Sequence, residues 1–179
     1  MDERGQILDL VNDKNEVIGE VSRGDMVKMG YNNPDGYIRF ANGFIAKKSG
    51  EIWVPVRGRH KKIAPGGYDF SVAVHVLSGE TYEHAITRAF DEEAGMKVDK
   101  FMLNRLGVTP PTKDKPSFDT VFVLYEYDGE DPNYAKEQFE SCQWMKPEEL
   151  VKLISSKPAR ASLLPALELL IEFIDKYKD

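Results

Sequence analysis

Cysteine is nearly absent from this sequence, and its scarcity limits the classes of protein to consider. The one cysteine, Cys142, cannot form a disulfide bond within the chain, which excludes a fold held by internal disulfides. The start of the sequence, Met-Asp-Glu-Arg, also lacks the cationic and apolar stretches of a secretory signal. We therefore expect a cytoplasmic protein.

Long hydrophobic runs and an excess of basic residues are missing as well. The longest apolar stretch, residues 161–174, is interrupted by Pro165, Glu168 and Glu172, which indicates an amphipathic helix and not a membrane span. The net charge of −6 argues against broad nucleic-acid binding by a basic surface. With 41% hydrophobic and 30% charged residues, the chain is expected to form one soluble domain, 1–179. Nothing in the sequence indicates an oligomeric state.

Short β-rich runs separated by turn-forming residues occupy much of the chain. Residues 6–11 and 16–21 are predicted to form one hairpin, and residues 37–47 and 51–57 a second. Helices are predicted over 147–154 and 161–176. Hairpins around a central helix, with helices at the end, indicate a layered α/β or α+β domain with a mixed sheet.

The central helix, residues 79–96, carries a carboxylate where an apolar side chain is expected. At about 100° per residue, Glu93 lies in the middle of one apolar face, and Glu92 lies at its edge. An ionised group buried without a partner is costly, so Glu93 requires a cation, an arginine or a proton. A metal ion is the partner that we predict. The alternative is a salt bridge along the helix surface from Arg88, which explains Glu92 but not Glu93.

The spacing of this segment resembles the Nudix box, which reads Gly, five residues, Glu, seven residues, Arg-Glu, apolar, any, Glu-Glu, any, Gly, apolar. Two positions depart from the pattern, because Val74 replaces the opening glycine and Ala89 replaces the glutamate after the arginine. The family's missing glutamate contributes to its metal site, so its loss implies weaker ion binding or a replacement group from another segment. The matching residues are Glu80, Arg88, Phe90, Glu92, Glu93, Gly95 and Met96.

The resemblance extends over most of the chain, toward the branch that contains isopentenyl-diphosphate isomerase. Residues 8–19, 65–71 and 144–150 look like segments of that branch. The resemblance implies an α/β Nudix fold, an α/β/α sandwich with a mixed sheet and an N-terminal β-hairpin. It also implies a hydrolase that acts on a nucleoside diphosphate linked to another moiety.

The same resemblance implies roles for individual residues. Glu92 and Glu93 are expected to bind Mg²⁺ or Mn²⁺ together with a backbone carbonyl near Ala73, and Glu80 and Arg88 to orient them. Because Ala89 cannot act as a base, a glutamate from the loop before the last strand is the candidate, and the alignment points to Glu137. The alternative for Glu137 is a solvated acid in a flexible loop.

A basic cluster follows the strand predicted at 51–57. Of its members, Arg57, Arg59 and Lys62 are predicted to bind the phosphate remote from the cleavage point, with Arg57 favoured at the strand's end. A solvated loop is the alternative. Lys113 and Lys115 are candidates to close over a substrate, with simple exposure as the alternative. Three aromatic residues are candidates to stack on a base, with core packing as the alternative: Tyr31, Tyr37 and Phe40.

Two other functions fit part of the pattern. A non-catalytic module that binds a nucleotide or a partner in the same cleft is favoured by Val74 and Ala89. Isomerisation of isopentenyl diphosphate is disfavoured, because the segment 71–76 has no cysteine and the sequence has only three histidines.

Overall fold

The computed structural model describes residues 3–134 and 136–177, so that Met1 and Asp2 of the start considered above lie outside the described residues. The described part contains eight strands and four α-helices. The strands are β1 (Ile7–Val11), β2 (Val17–Ser22), β3 (Ile38–Ile45), β4 (Ile52–Arg57), β5 (Val72–His75), β6 (Leu103–Thr109), β7 (Ser117–Leu124) and β8 (Phe139–Met145). The helices are α1 (Arg23–Lys28), α2 (Tyr82–Ala94), α3 (Pro147–Ile154) and α4 (Leu163–Tyr177).

A mixed four-stranded sheet with the order β5-β3-β7-β6 forms the middle layer. β3 and β7 are parallel, and the other pairs are antiparallel. Every residue of β7 is buried, because helices cover both faces of this sheet. Phe122 and Leu124 pack in the cluster that contains α2, whereas Val121 and Val123 pack in the cluster that contains α4. The layers are therefore helix, sheet and helix.

The first predicted hairpin is confirmed, because β1 and β2 pair in an antiparallel manner. The second is wrong in its pairing, although both of its strands exist. β3 pairs with β5 and β7, while β4 pairs with β8 in a separate two-stranded sheet. Next to their turn, the two runs are joined by an isolated bridge, Ala46 to Ile52, and by the hydrogen bond that the Lys47 N–H donates to the Glu51 carbonyl at 2.8 Å. Both edges of β3 pair with other strands. The turn after β3 therefore reverses the chain direction but does not determine which strand pairs with β3.

The two C-terminal helices predicted from the periodicity of the sequence are confirmed. α3 has the predicted bounds, and α4 begins two residues later than predicted. One face of α4 is buried against the sheet, as expected for an amphipathic helix: Leu163, Ala166, Leu167, Leu170 and Ile174. None of the helices in the described ranges has the length and apolar character needed to cross a bilayer. The short helix α1 was not predicted, because only Met26 of its six residues is buried and no periodicity results.

A close approach of two loops brings two charged residues together on one side of the molecule. The Tyr68 N–H donates to the Pro158 carbonyl at 3.0 Å, and the Arg160 N–H donates to the Tyr68 carbonyl at 3.3 Å. A Cβ atom at Gly67 would lie 2.6 Å from the carbonyl carbon of Pro158. Only glycine therefore permits this approach, which places Arg160 beside Asp69.

We predict that Gly67→Ala destabilises the protein by about 2 kcal/mol, because the new methyl group overlaps backbone atoms that cannot rotate away. Chemical denaturation followed by circular dichroism measures this change. Gly19→Ala is the control, because a Cβ atom added at Gly19 would meet no other atom within 4 Å. Equal stability of the two variants would contradict the prediction.

Candidate active site

A cleft of about 740 Å³ opens at one end of the central sheet. Residues from β5 and α2 form one side, and residues from the loops 61–63, 114–116 and 160–162 form much of the rest. Its volume lies within the range of small-molecule sites. The cleft brings together charged residues that are far apart in the sequence.

Helix α2 is fixed at both ends. The Thr81 side chain accepts a hydrogen bond from the His84 N–H at 3.2 Å, and Gly95 ends the helix in the left-handed conformation with φ of 63°. Its apolar face, Ala85, Ile86, Ala89, Phe90 and Ala94, is buried. The last turn before Gly95 carries the two acidic residues that the sequence singled out.

Glu93 lies at the floor of the cleft, half-buried and next to the edge strand β5. Its Oε2 atom accepts a hydrogen bond from the Ala73 N–H at 2.8 Å. No basic side chain in the described part of the chain forms an ion pair with it. Burial raises the pKa of the Glu93 carboxyl to about 8, the nearby Asp69 and Glu92 raise it further, and the Ala73 N–H opposes the shift.

Arg88 joins three segments around the start of α2. Its guanidinium donates to both carboxylate oxygens of Glu80, at 3.0 and 2.8 Å, and to the His75 carbonyl at 2.9 Å. It also donates to Glu92 Oε2 at 3.2 Å, so the salt bridge considered as the alternative for Glu92 is present. Glu80 in turn accepts the Leu77 N–H at 3.0 Å. This geometry is suited to orienting α2 against β5.

The acidic residues of the cleft fit a divalent cation that is held by few protein ligands. No three His, Cys, Asp or Glu side chains within residues 3–134 and 136–177 are arranged to hold an ion by themselves. Mg²⁺ commonly uses only one or two carboxylates and completes its shell with waters and substrate phosphates. Glu92 and Glu93 are the two carboxylates that could hold such an ion, and both line the cleft. Ala73 contacts Glu93 through its N–H, whereas its carbonyl was the predicted ligand.

Basic side chains line another part of the cleft. Arg57 forms an ion pair with the buried Asp69, and its Nε donates to the Ile63 carbonyl at 2.8 Å. Arg160 lies 4.0 Å from the same Asp69 carboxylate. Lys62 also lines the cleft, and its predicted role in substrate binding stays a prediction. Two guanidinium groups thus share one carboxylate, which leaves positive charge for an anion.

Three residues of the predicted site do not line the cleft, and one of them, Glu80, is connected to it through Arg88. Arg59 is exposed and pairs with Glu140 at 3.2 Å, so it lies outside the cleft lining. Glu137 is also exposed and outside the lining, although its neighbours Gln138 and Phe139 are part of it. The predicted roles of both residues stay predictions.

Several cleft residues were missed from the sequence: Asp69, His75, Asp119 and Arg160. A carboxylate between two aromatic residues, as in Tyr68-Asp69-Phe70, is a signal that would have singled out Asp69. Lys115, considered for closure over a substrate, is instead buried. It donates to Thr109 O, Ser117 O and Asp119 Oδ1 at 3.1, 2.6 and 3.3 Å, and burial lowers its pKa.

We predict that the stability of the metal-free protein falls between about pH 4.5 and pH 8 because of Glu93. The folded state holds the proton up to about pH 8, whereas the unfolded chain releases it near pH 4.3. The stabilising contribution is complete below the lower value and is lost as the pH rises through the upper one. Position 93 does not titrate in Glu93→Gln, so the stability of this variant relative to wild type should rise by about 5 kcal/mol across this window in EDTA. A constant difference would contradict this prediction.

Comparisons with known proteins agree with this architecture. The family model for the NUDIX domain matches residues 39–167. An uncharacterized Nudix hydrolase from Nostoc sp. is 31% identical over 167 residues, which cover 92% of this chain and 95% of that protein. A Nudix hydrolase from Deinococcus radiodurans is 30% identical over 153 residues, covering 85% of each chain.

The fold has a solved counterpart in the crystal structure of DR0079 from Deinococcus radiodurans. It superimposes with a TM-score of 0.76 and 28% identity, over 91% of this chain and 98% of that one. The predicted fold class, an α/β fold with a mixed sheet and helices, is confirmed by this match and by the layers described above. The chain therefore belongs to the Nudix hydrolase family.

Proposed function

We propose that the protein is a divalent-metal-dependent hydrolase of a diphosphate that links a nucleoside to another moiety. The observation that carries this proposal is the Glu93 carboxyl, held by the Ala73 N–H in a cleft that also contains Arg57 and Arg160. A diphosphate needs a cation on one side and hydrogen-bond donors on the other, and this cleft offers both. A cytoplasmic location, in keeping with a single free cysteine, is part of the proposal.

Glu92 and Glu93 are proposed to hold Mg²⁺ or Mn²⁺. When bound, such an ion supplies charge neutralisation for the diphosphate and makes a water molecule more acidic. Glu80 and Arg88 orient the two ligands, since Arg88 connects Glu80, Glu92 and the backbone of β5. The arrangement combines the half-buried Glu93 with the exposed Glu92.

The phosphate remote from the cleavage point is proposed to bind Arg57, Lys62 and Arg160. Arg57 is almost buried and is fixed by Asp69, so it is already oriented before a ligand arrives. Arg59 and Glu137 remain part of the proposal as a second phosphate contact and as the base. Both would have to approach from exposed loops that border the cleft.

The second candidate is a non-catalytic binding module. Ala89 is fully buried in the apolar cluster between α2 and the sheet, and Val74 packs against that cluster. Ala89 therefore fills the place of a carboxylate with apolar atoms, and Val74 adds an apolar side chain where the box has a glycine. An isomerase is disfavoured further, because Cys142 lies on β8 away from the cleft lining and burial raises its pKa to about 12.

We predict that Glu93→Gln abolishes divalent-ion binding and lowers turnover by at least about a hundredfold, a larger effect than that of the groups that only support metal ligands. The amide oxygen can still accept the Ala73 N–H, so the fold should be retained. Calorimetric titration with Mn²⁺ and a turnover assay on nucleoside diphosphate derivatives measure both effects. Glu83→Gln is the matched control on the same helix, because Glu83 pairs with Arg105 outside the cleft. Unchanged ion affinity in Glu93→Gln would rule out the proposed site.

We predict that Ala89→Glu destabilises the metal-free protein by about 3 kcal/mol, because it buries a carboxylate among apolar side chains. Since position 89 lies one turn before Glu93, divalent ions should restore part of the loss and stabilise this variant more than the wild type. Thermal melts with and without Mg²⁺ give the comparison. An equal ion response in the two proteins would favour the binding module.

A further inference from the structure

One wall of the cleft is built by the segment that precedes the family match. α1 and the turn after it contribute Arg23, Val27, Gly30 and Tyr31 to the lining, whereas the match begins at residue 39. This wall therefore adds contacts that the common features of the family do not determine. It is the place to look for what selects the moiety attached to the diphosphate.

His75 lies at the end of β5 in contact with this wall. The residue is 8% exposed, and its Nε2 atom has no hydrogen-bond partner among the described residues. Burial lowers the pKa of His75 well below its usual value, and the nearby charges of Arg23 and Arg160 lower it further, so the ring is uncharged. A buried polar atom without a partner is costly. A ligand with a complementary group would remove that cost.

Tyr31 lies stacked on the His75 ring, with the centroids 5.8 Å apart and the planes at 18°. It is half-buried and lines the cleft, so a ligand can reach it. Its φ of 64° is rare for a bulky residue, and its N–H donates to the Met26 carbonyl at 2.8 Å to close α1. The backbone thus accepts an unfavourable conformation that places this ring in the cleft.

The cations near the two rings are engaged elsewhere, Arg23 by an ion pair within the protein and Arg160 by the phosphate of the proposed function. Arg23 pairs with Glu3 at 2.8 Å, and Arg160 lies 4.0 Å from Asp69. An uncharged imidazole and a tyrosine ring give a phosphate little to bind. An aliphatic chain would leave the His75 Nε2 atom without a partner. A planar heteroaromatic ring satisfies both groups, because it stacks through its face and hydrogen bonds through its edge.

We propose that Tyr31 and His75 form a subsite for an uncharged heteroaromatic ring of the substrate, which stacks on Tyr31 and hydrogen bonds to His75 Nε2. This inference rests on the proposed function, in which the diphosphate occupies the part of the cleft between Glu93 and the basic side chains. The cleft volume of about 740 Å³ accommodates both groups.

The test separates ring binding from phosphate and ion binding. The wild-type protein is titrated calorimetrically in EDTA with the four ribonucleoside 5′-monophosphates and with ribose 5-phosphate, which lacks the ring. At least one monophosphate should bind about tenfold more tightly than ribose 5-phosphate, the size expected for one stacked base. Equal binding of all five compounds, or no binding of any, would overturn the inference.

Variants then assign the effect to the two residues. Tyr31→Ala should reduce the preferred monophosphate to the affinity of ribose 5-phosphate, whereas Tyr31→Phe should retain the preference. His75→Phe keeps a ring of similar size and should weaken binding by removing the nitrogen. Tyr37→Ala is the control, because this half-buried tyrosine contacts Phe118 outside the cleft lining. Wild-type affinity in both Tyr31→Ala and His75→Phe would overturn the inference.

A Mn²⁺ titration of the same proteins distinguishes this inference from the proposed function. Intact Mn²⁺ binding without a ring preference would end the inference and leave the hydrolase proposal standing. A ring preference that depends on Tyr31, in a protein that does not bind Mn²⁺, would support the subsite and end the hydrolase proposal.

Discussion

The hydrogen bond between Glu93 and the Ala73 N–H connects the acidic part of the cleft to the central sheet. β5 is an edge strand, and an edge strand leaves backbone N–H groups without a strand partner. Glu93 supplies an acceptor for one of them, so the same contact holds α2 against the sheet and fixes a carboxylate in the cleft. This one hydrogen bond therefore contributes both to the packing of α2 and to the position of the carboxylate in the cleft.

The basic side of the cleft is organised by a different principle, which is the sharing of one buried acid. Asp69 holds both Arg57 and Arg160, although these arginines come from segments about a hundred residues apart. Because the two guanidinium groups share one carboxylate, some of their N–H donors remain available to a ligand. Lys115 differs in this respect, because its three hydrogen bonds to protein acceptors occupy all three N–H groups. The ammonium group of Lys115 therefore stabilises its own loop.

The sequence predicted those features that depend on local periodicity. The apolar face of α2, the bounds of α3 and the first hairpin follow from side-chain spacing and turn residues. The pairing of β3 was not predictable in this way, because its partner β7 is far along the chain and its adjacent turn suggests β4. Arg160 was missed because it has no local signal, and its approach to Asp69 requires the close contact of two loops at Gly67. Glu93 was found because it is a carboxylate on the apolar face of its own helix.

The parallel pairing of β3 with β7 has a consequence for how the chain acquires its structure. Asn42 and Asp119, joined by a hydrogen bond across these strands, are 77 residues apart. Contacts at such separation are slow to form, because the entropy of closing a large loop is lost before the contacts stabilise the chain. During synthesis, β5 and α2 can pack against β3 as they emerge, but the other edge of β3 must wait for β7. The nascent chain is therefore most prone to aggregation before residue 124 has left the ribosome.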